Sequence, residues 1–315
     1  MPPEAGAYAR PIWTGGPVGL PLGVGTWAWG DQGYWGFGKT FTSEDVAAAY
    51  RSSRTAGLTL FDTAEIYGNG FSEHLLGQLI HDHDDVTNAV VATKFAAIPW
   101  RVGQRSALRQ ALESSLKRLQ AERVDLYQIH WSLPLLDDRA WLRAMADAVR
   151  EGLVGAVGVS NYGPTRLRAA HRRLTDLGIP LATNQIEYSL LQRKPERSGL
   201  VELCRELDVT VIAYSPLAQG MLTGKYAPGR PPPGIRRLRY QRFLSRLPAL
   251  IATLTQLGAD HGGKTPAQVA LNWLIAHGTV PIPGAKNADQ AQHNAGAVGW
   301  SLTPDQVQAL DQLRR

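Results

Sequence analysis

The sequence predicts a closed (β/α)8 barrel, on three observations. Eight short apolar or β-branched runs are each followed by an amphipathic helical stretch. Strict alternation of strand and helix implies a parallel sheet covered on both faces. No linker or shift of composition divides the 315 residues, so a single domain over 1–315 is expected. Eight units over that length suit a closed barrel better than an open doubly wound sheet.

In chain order, the candidate strands are LPLGVGTW (20–27), LTLFDTA (58–64), AVVATK (89–94), VDLYQIH (124–130), GAVGVSN (155–161), ATNQIEY (182–188), VTVIAYS (209–215) and TVPIPGA (279–285). After the first strand, Thr42 or Ser43 can cap a helix over 43–57 that Gly57 closes. After the third, residues 104–120 put Ala107, Leu108, Ala111, Leu112, Ser115 and Leu119 on one face. Pro266 and Pro304 each follow a threonine suited to the N-cap, the usual place for proline at a helix start. Residues 303–315 form an extra C-terminal helix, and GGPVGLP (15–21) is expected to turn beneath the barrel. The stretch 217–247, rich in Pro, Gly and Arg, reads as the longest loop, following strand 7.

Composition narrows the function classes. With 44% hydrophobic and 19% charged residues the chain fills a core and is not disordered. No apolar run reaches the length of a spanning helix, and the opening MPPEAGAYARPIW lacks the apolar middle of a secretory leader. The single Cys204 allows no internal disulfide and no metal cluster, so a cytoplasmic protein with no metal is expected. A net charge of +6 raises the question of a polyanionic partner. The basic residues are scattered apart from GIRRLRYQRFLSR (234–246), which argues against nucleic acid. That arginine cluster could meet a partner, cover cofactor phosphates or be a solvated loop.

In such a barrel the C-terminal strand ends converge on one mouth, where the chemistry sits. Asp62 and Tyr67 follow strand 2, Lys94 ends strand 3 and His130 ends strand 4. Each alone has an ordinary reading as a cap, a packed ring, a surface ion pair or a structural histidine. Together at one rim they suit proton transfer. A free phenol, with a pKa near about 10, is a sluggish acid. An adjacent Lys94 ammonium is expected to lower that value, with Asp62 keeping the lysine charged. His130 can polarise a carbonyl oxygen and turn it toward Tyr67.

Two other signals compete. Gly33 to Thr40 satisfies the spacing of a P-loop, which would imply an NTPase. Tyr34, Trp35 and Phe37 crowd that loop and the helix cap lies beyond Thr40, so it reads instead as a substrate-side loop. HDHDD (81–85) reads as a solvated loop rather than a metal site, since neither histidine sits at a strand end.

FDTAEIYGNGFSEHLLG, VVATKF, DLYQIHW, GAVGVSN, NQIEYSLLQR, VIAYSPLAQGMLTGKY and PIPGAKNADQAQHNAGA, in that order, resemble successive motifs of the aldo-keto reductase superfamily. The resemblance implies a (β/α)8 TIM barrel and an oxidoreductase that reduces a small-molecule carbonyl with NADPH, with Asp62, Tyr67, Lys94 and His130 as its catalytic tetrad. It also implies a cofactor site. Gly25, Thr26 and Trp27 would lie beside the nicotinamide, and Ser160, Asn161 and Gln185 would bond its carboxamide. Tyr214 would stack on the ring, as a planar aromatic can. Ser215, Pro216, Leu217, Gln219, Gly220 and Lys225 would embrace the pyrophosphate. Gly284, Lys286, Gln290 and Asn294 match the adenosine end, where Lys286 could meet a 2′-phosphate. NADPH is therefore preferred, with NADH admissible because Asn287 and Gln290 add no second cation. Trp27, Trp29, Trp100 and Trp131 are expected to wall the substrate pocket, with Trp35 near them. Ser132 stands where many members have proline, and His293 where an acid is common near the adenine. A cofactor-binding sensor or regulatory subunit on the same barrel is the alternative reading.

Overall fold

The computed structural model describes residues 20–83, 88–101, 105–131 and 137–313. Most of the expected N-terminal turn (15–19), and Ser132, lie outside the described residues. The elements run β1 (Val24–Gly25), α1 (Ser43–Thr55), β2 (Leu60–Asp62), α2 (Phe71–Asp82), β3 (Val90–Phe95), α3 (Arg105–Leu119), β4 (Val124–Ile129), α4 (Arg139–Arg150), β5 (Val154–Ser160) and α5 (Pro164–Asp176). They continue as β6 (Leu181–Glu187), α6 (Lys194–Arg197), α7 (Leu200–Glu206), β7 (Thr210–Tyr214), α8 (Ile235–Tyr240), α9 (Leu247–Asp260), α10 (Pro266–Ala276), β8 (Val280–Pro281), α11 (Ala288–Ala295) and α12 (Pro304–Gln312).

The eight strands pair in parallel and in sequence order. Gly23 N–H donates to Pro281 O at 3.0 Å and Gly25 N–H to Pro283 O at 3.1 Å, which closes the last strand onto the first. β1 and β8 are shorter than their sequence runs. Pro281 and Pro283 have no N–H to give, so each takes part in the closure only through its carbonyl, and a Gly25–Gly284 bridge continues it. A Cβ on Gly25 would stand 2.8 Å from Ile282 O, so this close approach requires glycine.

The expected helix caps form. Asp45 accepts the Thr42 N–H at 2.8 Å. Thr265 and Gln268 exchange bonds across the first turn of α10, as Thr303 and Gln306 do in α12. The predicted face of α3 is the buried one, with Leu116 added.

One correction concerns 217–247. It holds a 3-10 turn (Ala218–Thr223) and α8, followed by a second 3-10 turn (Gln241–Phe243), and α9 begins at Leu247. Buried Met221, Leu222, Tyr240, Leu244 and Leu247 tether it, which its Pro/Gly/Arg content concealed.

Strand parity builds the site. Leu60, Ala92, Leu126 and Ile212 belong to a small apolar cluster separate from the larger core packed with helices. Two residues further along each strand, on the same face, come Asp62, Lys94, Gln128 and Tyr214. An apolar plug therefore carries a polar layer at the C-terminal end of the strands.

Candidate active site

The polar layer centres on a buried ion pair. Lys94 Nζ lies 2.5 Å from Asp62 Oδ1, with the two side chains 0% and 2% exposed. The same ammonium donates to Thr63 O at 2.6 Å and reaches Tyr67 Oη at 3.4 Å. Asp62 Oδ2 accepts from Gln185 Nε2 at 2.7 Å and Gln128 Nε2 at 3.3 Å. Tyr67 is brought over this pair by its own loop. Gly68, Asn69 and Gly70 all have positive φ (56°, 55° and 89°), so the chain coils tightly straight after the tyrosine. A side chain at Gly68 would meet Gly30 O at 3.0 Å.

His130 follows β4, its N–H bonded to Phe95 O at 2.9 Å. Its ring stacks on Trp131 at 4.2 Å with the planes 6° apart, and stands edge-on to Tyr67 at 5.7 Å. Its Nδ1 is buried without a hydrogen-bond partner among the described residues.

Burial governs the protonation of these groups. The Tyr67 phenol is held well above its usual 10.0, first by desolvation and then by the Asp62 charge. This corrects the expected lowering: the lysine charge is already engaged by Asp62, and desolvation of the phenolate wins. Burial lowers the Lys94 ammonium, opposed mainly by Asp62. His130 is pushed well below 6.5 by burial and then by Lys94, which makes it a neutral imidazole. The rim thus carries a protonated phenol and a neutral imidazole side by side.

Tyr67 and His130 open onto a cavity of about 760 Å³, with Asp62 at its floor. Trp27, Ile66 and Trp131 line it near the phenol, while Gly25, Ser160, Asn161, Gln185 and Tyr214 also border it. Asn161, at φ 62°, donates to His130 O and accepts from Tyr214 Oη at 2.9 Å, and Ser160 Oγ donates to Gln185 O at 3.0 Å. Ser215, Pro216, Leu217, Gln219, Gly220 and Lys225 continue the wall. Ser215, Ala218, Gln219 and Gly220 have φ between 47° and 95°, a strained run of the sort that persists where function fixes it. Gly284, Lys286, Gln290 and Asn294 complete the far end. Lys225, Arg236 and Lys286 face this end, and no carboxylate pairs with them among the described residues. Three cations gathered at one end, with Asp31 the carboxylate that acts on Lys286 from outside salt-bridge distance, fit an anionic ligand such as a cofactor phosphate.

The family model of the aldo/keto reductase family matches residues 21–315. The chain belongs to that family. It is 41% identical to the chloroplastic pyridoxal reductase of Arabidopsis thaliana, over 94% of this chain and 84% of that one. A glycerol dehydrogenase from Gluconobacter oxydans superposes with a TM-score of 0.83 at 26% identity, covering 98% of this chain and 95% of that one. An aldo/keto reductase from Klebsiella pneumoniae, solved with NADP and acetate, gives 0.73 at 31% identity, covering 93% and 90%. Family and relatives make this chain an oxidoreductase of the aldo/keto reductase type on the (β/α)8 fold.

Besides Lys94, which is fully buried beneath it, three expected site residues of this reductase lie off the cavity. Thr26 is fully buried, bonded to Asp62 O at 3.0 Å and to Ser72 Oγ at 2.8 Å. Trp29 is fully buried too, its Nε1 donating to Ala285 O at 2.8 Å. The backbone turns after Gly25, with Trp29 N–H on Thr26 O, so Trp29 faces the core instead of the mouth. Trp100 sits in a 3-10 turn, 73% exposed, beside a separate surface concavity with Glu65 and Arg101. Gln128, Ile66 and Tyr226 were not singled out from the sequence, and Arg236 and Arg239 only as members of the 234–246 arginine cluster. Gln128 had a signal, since it shares strand parity with His130.

The competing motifs resolve as follows. Lys39 and Thr40 are exposed and α1 begins only at Ser43, so Gly33–Thr40 has no P-loop geometry. Its Trp35 lines the cavity instead, and Tyr34 Oη donates to Gln219 Oε1 at 2.6 Å. The loop therefore touches Gln219 as well as Trp27, on which Tyr34 stacks at 5.2 Å. His81 and His83 each bond a backbone carbonyl at the end of α2. Among the described residues no cluster of His, Cys, Asp or Glu could hold a metal, and no helix is long and apolar enough to cross a membrane.

Proposed function

We propose that the chain reduces an aldehyde or ketone to an alcohol with NADPH, Tyr67 supplying the proton. The observation that carries this reading is the protonated Tyr67 hydroxyl at the cavity rim, beside a neutral imidazole and 3.4 Å from a buried ammonium. The nicotinamide supplies the hydride to the carbonyl carbon. His130 offers an N–H to the carbonyl oxygen and turns it toward the phenol. As the oxygen gains alkoxide character it becomes far more basic than a phenolate, so even a phenol of raised pKa gives up its proton. Lys94 then stabilises the phenolate, and Asp62, fixed by Gln128 and Gln185, holds the lysine in place.

The cofactor contacts follow from the same cavity. Gln185 gives its amide hydrogen to Asp62, which leaves its oxygen for the amide of a nicotinamide. Tyr214, tied to Asn161, offers a ring face for stacking. Lys225, Arg236 and Lys286 would hold phosphate oxygens, which favours NADPH over NADH. The placement is cytoplasmic, where the buried Cys204 thiol, pushed up to about 12, stays unreactive.

Trp27, Ile66 and Trp131 around Tyr67 favour a flat, aromatic aldehyde, and the pyridoxal reductase relative makes pyridoxal the first compound to try. The test is NADPH oxidation with pyridoxal, simple aromatic aldehydes and short aliphatic ones. Turnover with aromatic aldehydes above aliphatic ones supports the reading. Tight NADPH binding without turnover on any carbonyl would instead support a cofactor sensor.

A further inference from the structure

β2 leaves the sheet at Asp62, while β3 runs on to Phe95. Pairing follows the departing chain a little further, with Thr63 N–H on Ala92 O at 2.8 Å and Glu65 N–H on Lys94 O at 3.4 Å. The next N–H along β3 belongs to buried Ala96, and it is met by a side chain: it donates to Glu65 Oε1 at 2.5 Å. The same oxygen accepts from Arg101 Nη1 at 2.6 Å. The Glu65 side chain is only 9% exposed, so this is a nearly buried, charge-compensated contact. Arg101 is itself held in place. Its guanidinium lies 5.3 Å from the Phe95 ring centroid, and its carbonyl accepts from Trp141 Nε1 at 3.0 Å.

Glu65 is two residues before Tyr67, and Ala96 is two residues after Lys94. The carboxylate therefore staples the loop that carries the phenol to the strand end that carries the ammonium. We propose that Glu65, with Arg101 as its counter-charge, is a positioning residue that sets the Tyr67–Lys94 geometry for proton transfer. This rests on Tyr67 being the proton donor. Glu65 does not line the cavity, so its influence on the reaction runs through the backbone of residues 65–67.

The test compares the parent enzyme with Glu65→Ala and Glu65→Gln, using a carbonyl that the parent turns over with NADPH. A misplacement of about 1 Å at a reacting group can cost on the order of 10²-fold in rate. Glu65→Ala should lower kcat by roughly that factor, with KM and the NADPH dissociation constant within about twofold. The deuterium isotope effect on hydride transfer should rise, because chemistry becomes slower relative to cofactor release. Glu65→Gln keeps an oxygen for both donors and should recover kcat to within roughly threefold of the parent. A merely structural role would lower the active fraction and leave the isotope effect unchanged. If Glu65→Ala does not fold, Arg101→Met removes the counter-charge, with its contacts to Ala96 O and the Phe95 ring, while keeping the Glu65 carboxylate, and should shift kcat and the isotope effect in the same directions. An unchanged kcat, or a fall in kcat with the parent's isotope effect, overturns the proposal. Turnover by the parent tests the proposed function separately.

Discussion

Lys94 and Asp62 form an ion pair 2.5 Å apart at the end of the barrel plug, and neither side chain is exposed beyond 2%. A buried pair of this kind contributes little net stability compared with a well-packed apolar pair, yet breaking one half is costly. Gln128 and Gln185 raise the stakes, since both amides spend a hydrogen on Asp62.

Lys94→Met should therefore destabilise the fold by about 3–5 kcal/mol, leaving Asp62 charged and uncompensated. Adding Asp62→Leu should recover only part of that loss, because the two glutamines lose their acceptor. Urea denaturation of the single and double variants measures both effects.

His130 gives stability a pH dependence whose sign is fixed. Its folded-state pKa is pushed below the usual 6.5 by burial and then by Lys94. Below that value the unfolded chain binds a proton that the folded chain refuses, so stability rises with pH there. The contribution is fully present above the unfolded value and is lost as pH falls toward the folded one. His130→Asn should lose less stability than the parent on going from about pH 7.5 to about pH 5.5 in matched denaturation curves.

Lys286 should separate the two cofactors. Its ammonium is held at about 8 by burial, then by Arg236 and Lys225. Lys286→Met should weaken NADPH by about tenfold while leaving NADH nearly unchanged, roughly 1.4 kcal/mol for one charged contact. In the parent, NADPH affinity should fall as pH rises past about 8 and NADH affinity should stay flat. Fluorescence titration with each cofactor across that range is the check.

What could be read from the sequence follows period-2 order and strand ends. Asp62, Lys94 and His130 could be assigned to one rim because each ends an apolar run, and a parallel barrel brings such ends together. The direction of the Tyr67 shift was not legible, because it depends on how much water the fold removes rather than on which charge is adjacent. Trp29 misled for a similar reason: it follows Trp27 by two residues, but the strand has already ended and the parity rule no longer holds. Within 217–247 the scattered apolar residues that tether α8 gave no clear period, so which arginines face the cavity emerged only in three dimensions. Glu65 had no sequence signal at all, since its partners Ala96 and Arg101 are thirty or so residues away.

The central claim is that Tyr67 delivers the proton, and Tyr67→Phe tests it with a change of one oxygen atom. NADPH binding, followed by tryptophan fluorescence, should be unaltered, because the ring stays in place. NADPH-dependent reduction of an aldehyde that the parent accepts should fall by about 10²–10⁴-fold, the usual worth of a positioned general acid. Undiminished reduction by Tyr67→Phe, with the cofactor bound as in the parent, would contradict the account.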